Sequence, residues 1–143
     1  MGYRTPVFER ILLAVDGSEH SAETVPVAAD LAKKYGASVT VLHVREYTKR
    51  FGTDVEIDPE DESKTYVDGV VAALSAEGIA AVGELRRVPS GQVPREIIDV
   101  ASDVGAGLIA MGTRGRTEWQ SLLVGGVAHK VISHAPCPVL LVR

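Results

Sequence analysis

Gly107-Leu-Ile-Ala-Met111-Gly112-Thr-Arg114-Gly115-Arg116-Thr-Glu-Trp119-Gln-Ser-Leu-Leu-Val-Gly125-Gly126-Val127-Ala-His129-Lys130 is the stretch on which the fold turns. From Gly107 to Met111 it is a continuous apolar run bounded by glycines, the pattern of a strand buried on both faces in a parallel sheet. A glycine-rich turn follows. Gly112 and Gly115 carry no Cβ and accept positive φ, so backbone N–H groups there can come close to a ligand. Gly125 and Gly126 then open a segment of helical character, Val127 to Ser133, whose free N–H groups and positive dipole end favour an anion. Strand, glycine turn and helix N-terminus in this order describe a phosphate cradle, with Arg114 and Arg116 beside it to neutralise phosphate charge.

Working outward from that stretch, strand and helix patterns alternate along the chain, the sign of a parallel sheet with helices on both faces. Ile11 to Val15 is the first apolar run, and Asp16-Gly17-Ser18 turns the chain, with Ser18 as the expected helix N-cap. Helical spacing of Ala22, Val25, Ala29 and Ala32 predicts a helix from Glu19 to Tyr35, kinked at Pro26 unless it starts later. Ala37 to Val44 makes the second strand, and its His43 is expected to be packed or solvated rather than catalytic. Residues 45–64, with Lys49-Arg50 and the acidic run from Asp54 to Glu62, are expected to form a mobile loop or flap with surface charges. Asp58-Pro59 is the pattern of an N-cap followed by an N1 proline, opening a helix to about Glu77 with Val67, Val70, Val71 and Leu74 buried. Ile79 to Val88 forms a third strand, whose polar residues Glu84, Arg86 and Arg87 place it at an edge. A turn from Pro89 to Pro94 leads to a helix through Val104, then come the fourth strand, the cradle, the last helix and a final strand, Pro138 to Val142. Five strands joined by right-handed helical crossovers favour an open, doubly wound α/β sheet.

Two common phosphate fingerprints are absent: there is no G-x-x-x-x-G-K-[ST] and no G-x-G-x-x-G after the first strand. The spacing Gly112-x2-Gly115-x9-Gly125, followed by a small residue, is instead similar to the ATP-binding signature of the universal stress protein family. The resemblance runs from Ile11-Leu-Leu-Ala14-Val15-Asp16-Gly17-Ser18 to His134-Ala-Pro-Cys137-Pro-Val139. One position departs from it, Gly126, where the family has Ser or Thr.

The resemblance implies a single domain over residues 1–143 with a Rossmann-like, adenine nucleotide alpha hydrolase-like parallel sheet of order 3-2-1-4-5. It places Ala14, Val15 and Asp16 near adenine and ribose, with Val44 on the base. Gly112, Gly115, Gly125, Gly126 and Val127 would surround the triphosphate, beside Met111 and Arg114. Asp16 has two readings of equal weight, a ligand to ribose or to the magnesium ion of the nucleotide, and a turn residue. The function implied is ATP binding as a stress-response switch. The alternative is a dimeric interaction module of the same fold that does not bind ATP, which Gly126 keeps open. No base for an acceptor substrate is recognisable and no catalytic residue is assigned, so hydrolysis is expected to be slow or absent. Val139 to Val142, an apolar strand at a sheet edge, is expected to pair with a second copy in a homodimer; a further protein partner is expected but not identifiable.

Composition bounds the rest. A chain of 143 residues makes one ordinary domain with a real core. A formal net charge of −4 argues against nucleic-acid binding. The lone Cys137 forms no internal disulfide, and no apolar run approaches the roughly 18 residues of a membrane span, so a cytoplasmic protein without a membrane partner is expected. Trp119 is expected to anchor the glycine loop or to belong to a partner surface, and His129 and Lys130 to be solvated.

Overall fold

Side chains that alternate strictly between two buried faces belong at the centre of a covered sheet, and the first strand shows it most clearly. The computed structural model describes residues 8–113 and 126–143, and in it β1 (Arg10–Ala14) is flanked on both sides by parallel strands. On one side lies β2 (Ser38–Arg50), with Leu13 opposite Val41, and on the other β5 (Leu108–Gly112), with Leu13 opposite Ala110. β4 (Ala81–Pro89) extends the sheet beyond β2, and β6 (Val139–Val142) extends it beyond β5, both parallel to their neighbours. The path β4-β2-β1-β5-β6 is the expected order 3-2-1-4-5.

Each face has its own core. Ile11, Leu13, Val15, Val39, Val41 and Ala110 pack under α2 (Thr24–Tyr35) and α3 (Glu60–Ala76). Leu12, Ala14, Leu42, Val44, Ile109 and Met111 pack under α4 (Val93–Val104) and α5 (Gly126–His134). The period-2 alternation of the strands therefore assigns neighbouring residues to opposite sides of the molecule.

Three expectations need correction. The region 45–64 is not a loop. β2 continues to Arg50 and pairs antiparallel with β3 (Thr53–Glu56), making a six-stranded mixed sheet among the described residues. Phe51 and Gly52 form a two-residue turn with φ of 51° and 77°, the positive pair that a tight hairpin of type I′ requires. The charges that looked merely solvated pair across the ladder: Arg45 Nη2 lies 2.8 Å from Glu56 Oε1, and Lys49 Nζ lies 3.2 Å from Asp54 Oδ1.

The first helix is also broken rather than kinked. A four-residue α1 (Glu19–Ala22) precedes α2, which puts Pro26 in the first turn of α2, where its missing N–H has no intrahelical acceptor to lose. Ser18 caps α1 as expected, its Oγ accepting from the Ser21 N–H at 3.0 Å. Finally, α3 starts one residue later than the sequence predicts. Pro59 is the N-cap, and Asp58 is turned inward, 2% exposed, with Oδ2 accepting from the Glu46 N–H at 3.0 Å.

Candidate functional site

The parallel pairing of β1 with both β2 and β5 brings the carboxyl ends of β1 and β5 together beside the middle of β2, the place where open α/β sheets bind ligands. On the α4/α5 face the end of this crevice is apolar. Ala14, Val44 and Met111 are 8%, 7% and 5% exposed and share one cluster with Ala128 and Val131 of α5, against which Val127 packs. Aliphatic walls of this kind suit the face of a heteroaromatic ring. Gly112 is the last residue of β5 and Gly126 the first of α5. The N-terminus of α5 is thus set at the same end as the wall, and its first turn contains no acidic residue. Arg114, Gly115 and Gly125, together with Arg116 and Trp119, lie outside the described residues.

The pleat turns Val15, the next expected residue, away from this wall. Val15 belongs to the core under α2 and α3, with its N–H donating to Leu42 O at 2.9 Å. Asp16 is half-buried and fulfils the turn role: its Oδ1 accepts from the Ser18 N–H at 2.9 Å, and its own N–H donates to Ser21 Oγ at 3.1 Å. Its carboxylate also lines a cavity of about 230 Å³ on the α3 side, with Gly17, His43, Asp58, Pro59, Glu62, Ser63 and Tyr66. Among the described residues no group of three His, Cys, Asp or Glu side chains surrounds a common metal position.

His43 was expected to be packed or solvated, and it is packed, 4% exposed. Its partners were not legible. Nδ1 lies 2.8 Å from the Val15 carbonyl and donates to it, while Nε2 faces Asp58 Oδ1 at 4.0 Å. The hairpin makes this possible, because it returns the chain over the end of β1 and delivers Asp58 beside a strand fifteen residues earlier. The one signal available was the pair Tyr47-Thr48, residue types that favour strands, inside the polar run from Arg45 to Arg50.

Electrostatics around the hairpin are set by Arg87 of β4. Hydrogen bonds from its guanidinium hold the carboxyls of Asp54 and Glu56 below their usual range, with Lys49 adding to the effect on Asp54. Their combined effect holds the Arg87 guanidinium above its usual value. At the other edge, burial pushes the Cys137 thiol up, which disfavours the reactive thiolate. His129 and Lys130 are exposed, as expected.

The chain matches the model of the universal stress protein family over residues 8–143. Universal stress protein YxiE of Bacillus subtilis (strain 168) is 30% identical, covering 96% of this chain and all (100%) of that protein. A universal stress protein from the QAH/OAS sulfhydrylase 3' region of Thermus aquaticus is 35% identical, with 96% and 100% covered. A solved structure of the universal stress protein from Archaeoglobus fulgidus in complex with dAMP is 25% identical, with a TM-score of 0.73 over 96% of this chain and 99% of that one. With the strand order, the apolar wall and the helix N-terminus at one end of the sheet, these similarities lead to one conclusion: the chain belongs to the universal stress protein family.

Proposed function

We propose that this protein binds an adenine nucleotide at the carboxyl ends of β1 and β5, beside Val44 of β2, and uses the bound state as a stress-response switch. The observation that carries this is the convergence of the Ala14, Val44 and Met111 wall with the Gly126 end of α5. An apolar slot for the base beside backbone N–H groups for phosphate is what a nucleotide needs. The dAMP held by the Archaeoglobus relative supports the base and sugar half of the proposal. ATP, carried with Mg2+, is the proposed physiological form, because the glycine signature offers amides and arginine charge for more than one phosphate.

In this scheme Gly112, Gly115, Gly125, Gly126 and Val127 surround the phosphates with Arg114 nearby, and Ala14, Val15, Asp16, Val44 and Met111 form the nucleoside end. Asp16 contributes to ribose or to the nucleotide magnesium only through the carboxylate oxygen not engaged by Ser18. No residue is proposed as catalytic, and turnover is expected to be slow or absent. The protein is further proposed to act in the cytoplasm as a homodimer joined at β6.

Mass spectrometry of nucleotide released from freshly purified, denatured protein, followed by calorimetry with ATP and AMP, tests this. ATP released and bound more tightly than AMP is the expected result; equal affinity for the two would remove the phosphate cradle. One observation favours a second reading. Gly126 lacks the hydroxyl of the family signature, and absence of nucleotide binding in a folded dimer would establish the interaction-module alternative.

A further inference from the structure

We infer that the outer edge of β4 is a self-association surface of its own, on which a second copy of this chain adds its β4 antiparallel about a two-fold axis at Leu85. It lies at the opposite end of the sheet from β6 and uses no residue of the nucleotide crevice, so it depends on neither.

The backbone shows which groups are free. Among the described residues β4 pairs only with β2. The Val39 N–H donates to the Ala80 carbonyl at 2.8 Å and the Ser90 N–H to the Tyr47 carbonyl at 2.7 Å, so the even-numbered residues of this segment turn their backbone groups toward β2. Those of Gly83, Leu85 and Arg87 point outward, and their N–H groups have no acceptor among the described residues. Pro89 falls on the outward side as well, where its missing N–H takes nothing from the pairing with β2. An unpaired edge of this kind is a template for another strand.

The side chains select the second copy and a single register. With the axis at Leu85, Glu84 lies opposite Arg86 of the second copy, and Arg86 opposite its Glu84. Gly83 and Arg87 exchange backbone bonds across the axis, as the two Leu85 residues do. Glu84 and Arg86 then form the closer, non-hydrogen-bonded kind of pair, with Cα atoms about 4.5 Å apart. Within one chain these groups are held loosely: Arg86 Nε is 3.4 Å from Glu84 Oε2 and its Nη1 3.5 Å from Glu96 Oε1, both long for charged hydrogen bonds. Val82, 60% exposed, meets Val88 of the second copy. Moving the axis to Glu84, Arg86 or Arg87 sets that residue against its own counterpart, like charge on like charge. An axis at Gly83 leaves Arg86 and Arg87 opposite Ala80 and Ile79. On α3, the flank beside Val71 carries Lys64, Asp68 and Ser75 at i−7, i−3 and i+4, all exposed. Two copies of α3 therefore meet through short or flexible polar side chains, with Lys64 and Asp68 of opposite sign.

The test takes Leu141→Lys as the parent, so that association at β6 is suppressed and the two edges are read separately. Sedimentation of this parent from micromolar to millimolar concentration is expected to show a monomer–dimer equilibrium. Glu84→Arg and Arg86→Glu, each added to the parent, set like charges opposite each other and should each weaken association about tenfold. Mixing the two variants restores opposite charges at both positions and should return association to the parent's strength, at physiological ionic strength where long-range attraction is screened. Amide exchange in the wild type reads the same edge without any substitution: Gly83, Leu85 and Arg87 should become more protected as concentration rises. A folded parent that stays monomeric, a mixture no stronger than either variant alone, or exchange at those three amides that ignores concentration would each overturn the proposal.

Discussion

The guanidinium carbon of Arg87 sits 3.9 Å from the centroid of the Tyr47 ring while the same group donates to Glu56 at 2.8 Å and to Asp54 at 3.0 Å. One side chain of β4 thereby holds both strands of the hairpin, through a cation–π contact to β2 and ion pairs to β3. The hairpin in turn delivers Asp58 to the end of β1.

Replacing Arg87 with Ala should therefore loosen the hairpin without unfolding the sheet. Amide hydrogen exchange is expected to accelerate from Tyr47 to Glu56 and to stay unchanged in β1 and β5. Acidification gives a second reading. Asp54 and Glu56 have folded-state values lowered by Arg87, so their contribution is present above the ordinary carboxylate range and is lost as pH falls through the lowered values. Between about pH 5 and pH 3 the stability of the wild type should fall more steeply than that of Arg87→Ala. Equal slopes in chemical denaturation would show that the pairs do not matter for stability.

Gly83 marks where α3 rests on the sheet. A Cβ built there would lie 2.7 Å from Val67 Cγ1 and 3.4 Å from Val71 Cγ2. Val67 is a stiff β-branched side chain, 3% exposed, and cannot simply rotate away. Gly83→Ala should cost about 1–3 kcal/mol in urea denaturation, the usual range for overpacking. A stability equal to wild type would mean that α3 shifts freely over β4.

The proposed dimer has a direct test. β6 pairs only with β5, and all four of its residues are part-exposed, so its outer edge is unsatisfied by any described strand. Leu141→Lys places a charge on that strand and should lower the dimer fraction in sedimentation. Leu141 also leans on the α4/α5 core, so circular dichroism must show an intact fold. A wild-type monomer at micromolar concentration would end the proposal.

What could be read from the sequence, and what could not, follows from where each residue finds its partner. Ile11 to Val15 and Leu108 to Met111 are apolar on both faces, and only a central parallel strand accommodates that. Pro26 and Gly105 act locally, one in the first turn of a helix and the other as a left-handed C-cap, so the positional rules reach them. Arg45, Lys49, Asp54 and Glu56 look like solvated charges because their partners lie across a hairpin or, for Arg87, on a strand 31 residues beyond Glu56. His43 and Asp58 meet for the same reason. Within the site, alternation alone already separates Ala14 from Val15, since consecutive strand residues face opposite layers. Ala14, Val44 and Met111 share one face of the sheet, and Val15 lies on the other.

The departure at Gly126 yields the sharpest prediction about the nucleotide site. Gly126 is the first residue of α5, where the backbone is helical and an L side chain is accepted. Serine there would keep the backbone N–H and add a hydroxyl toward the proposed phosphate position. A hydrogen bond to a charged group is worth about 1.5–3 kcal/mol, which corresponds to roughly tenfold to a hundredfold in affinity. Glycine also leaves the helix start less ordered in the free protein, so serine should reduce the ordering cost of binding. Gly126→Ser is expected to tighten ATP binding within that range and to leave AMP nearly unchanged, because only the outer phosphates reach the new hydroxyl. Parallel calorimetric titrations of wild type and variant, with circular dichroism to confirm the fold, decide it. An unchanged ATP affinity in the folded variant would show that position 126 does not touch phosphate, and the cradle would have to be sought elsewhere along the β5 end.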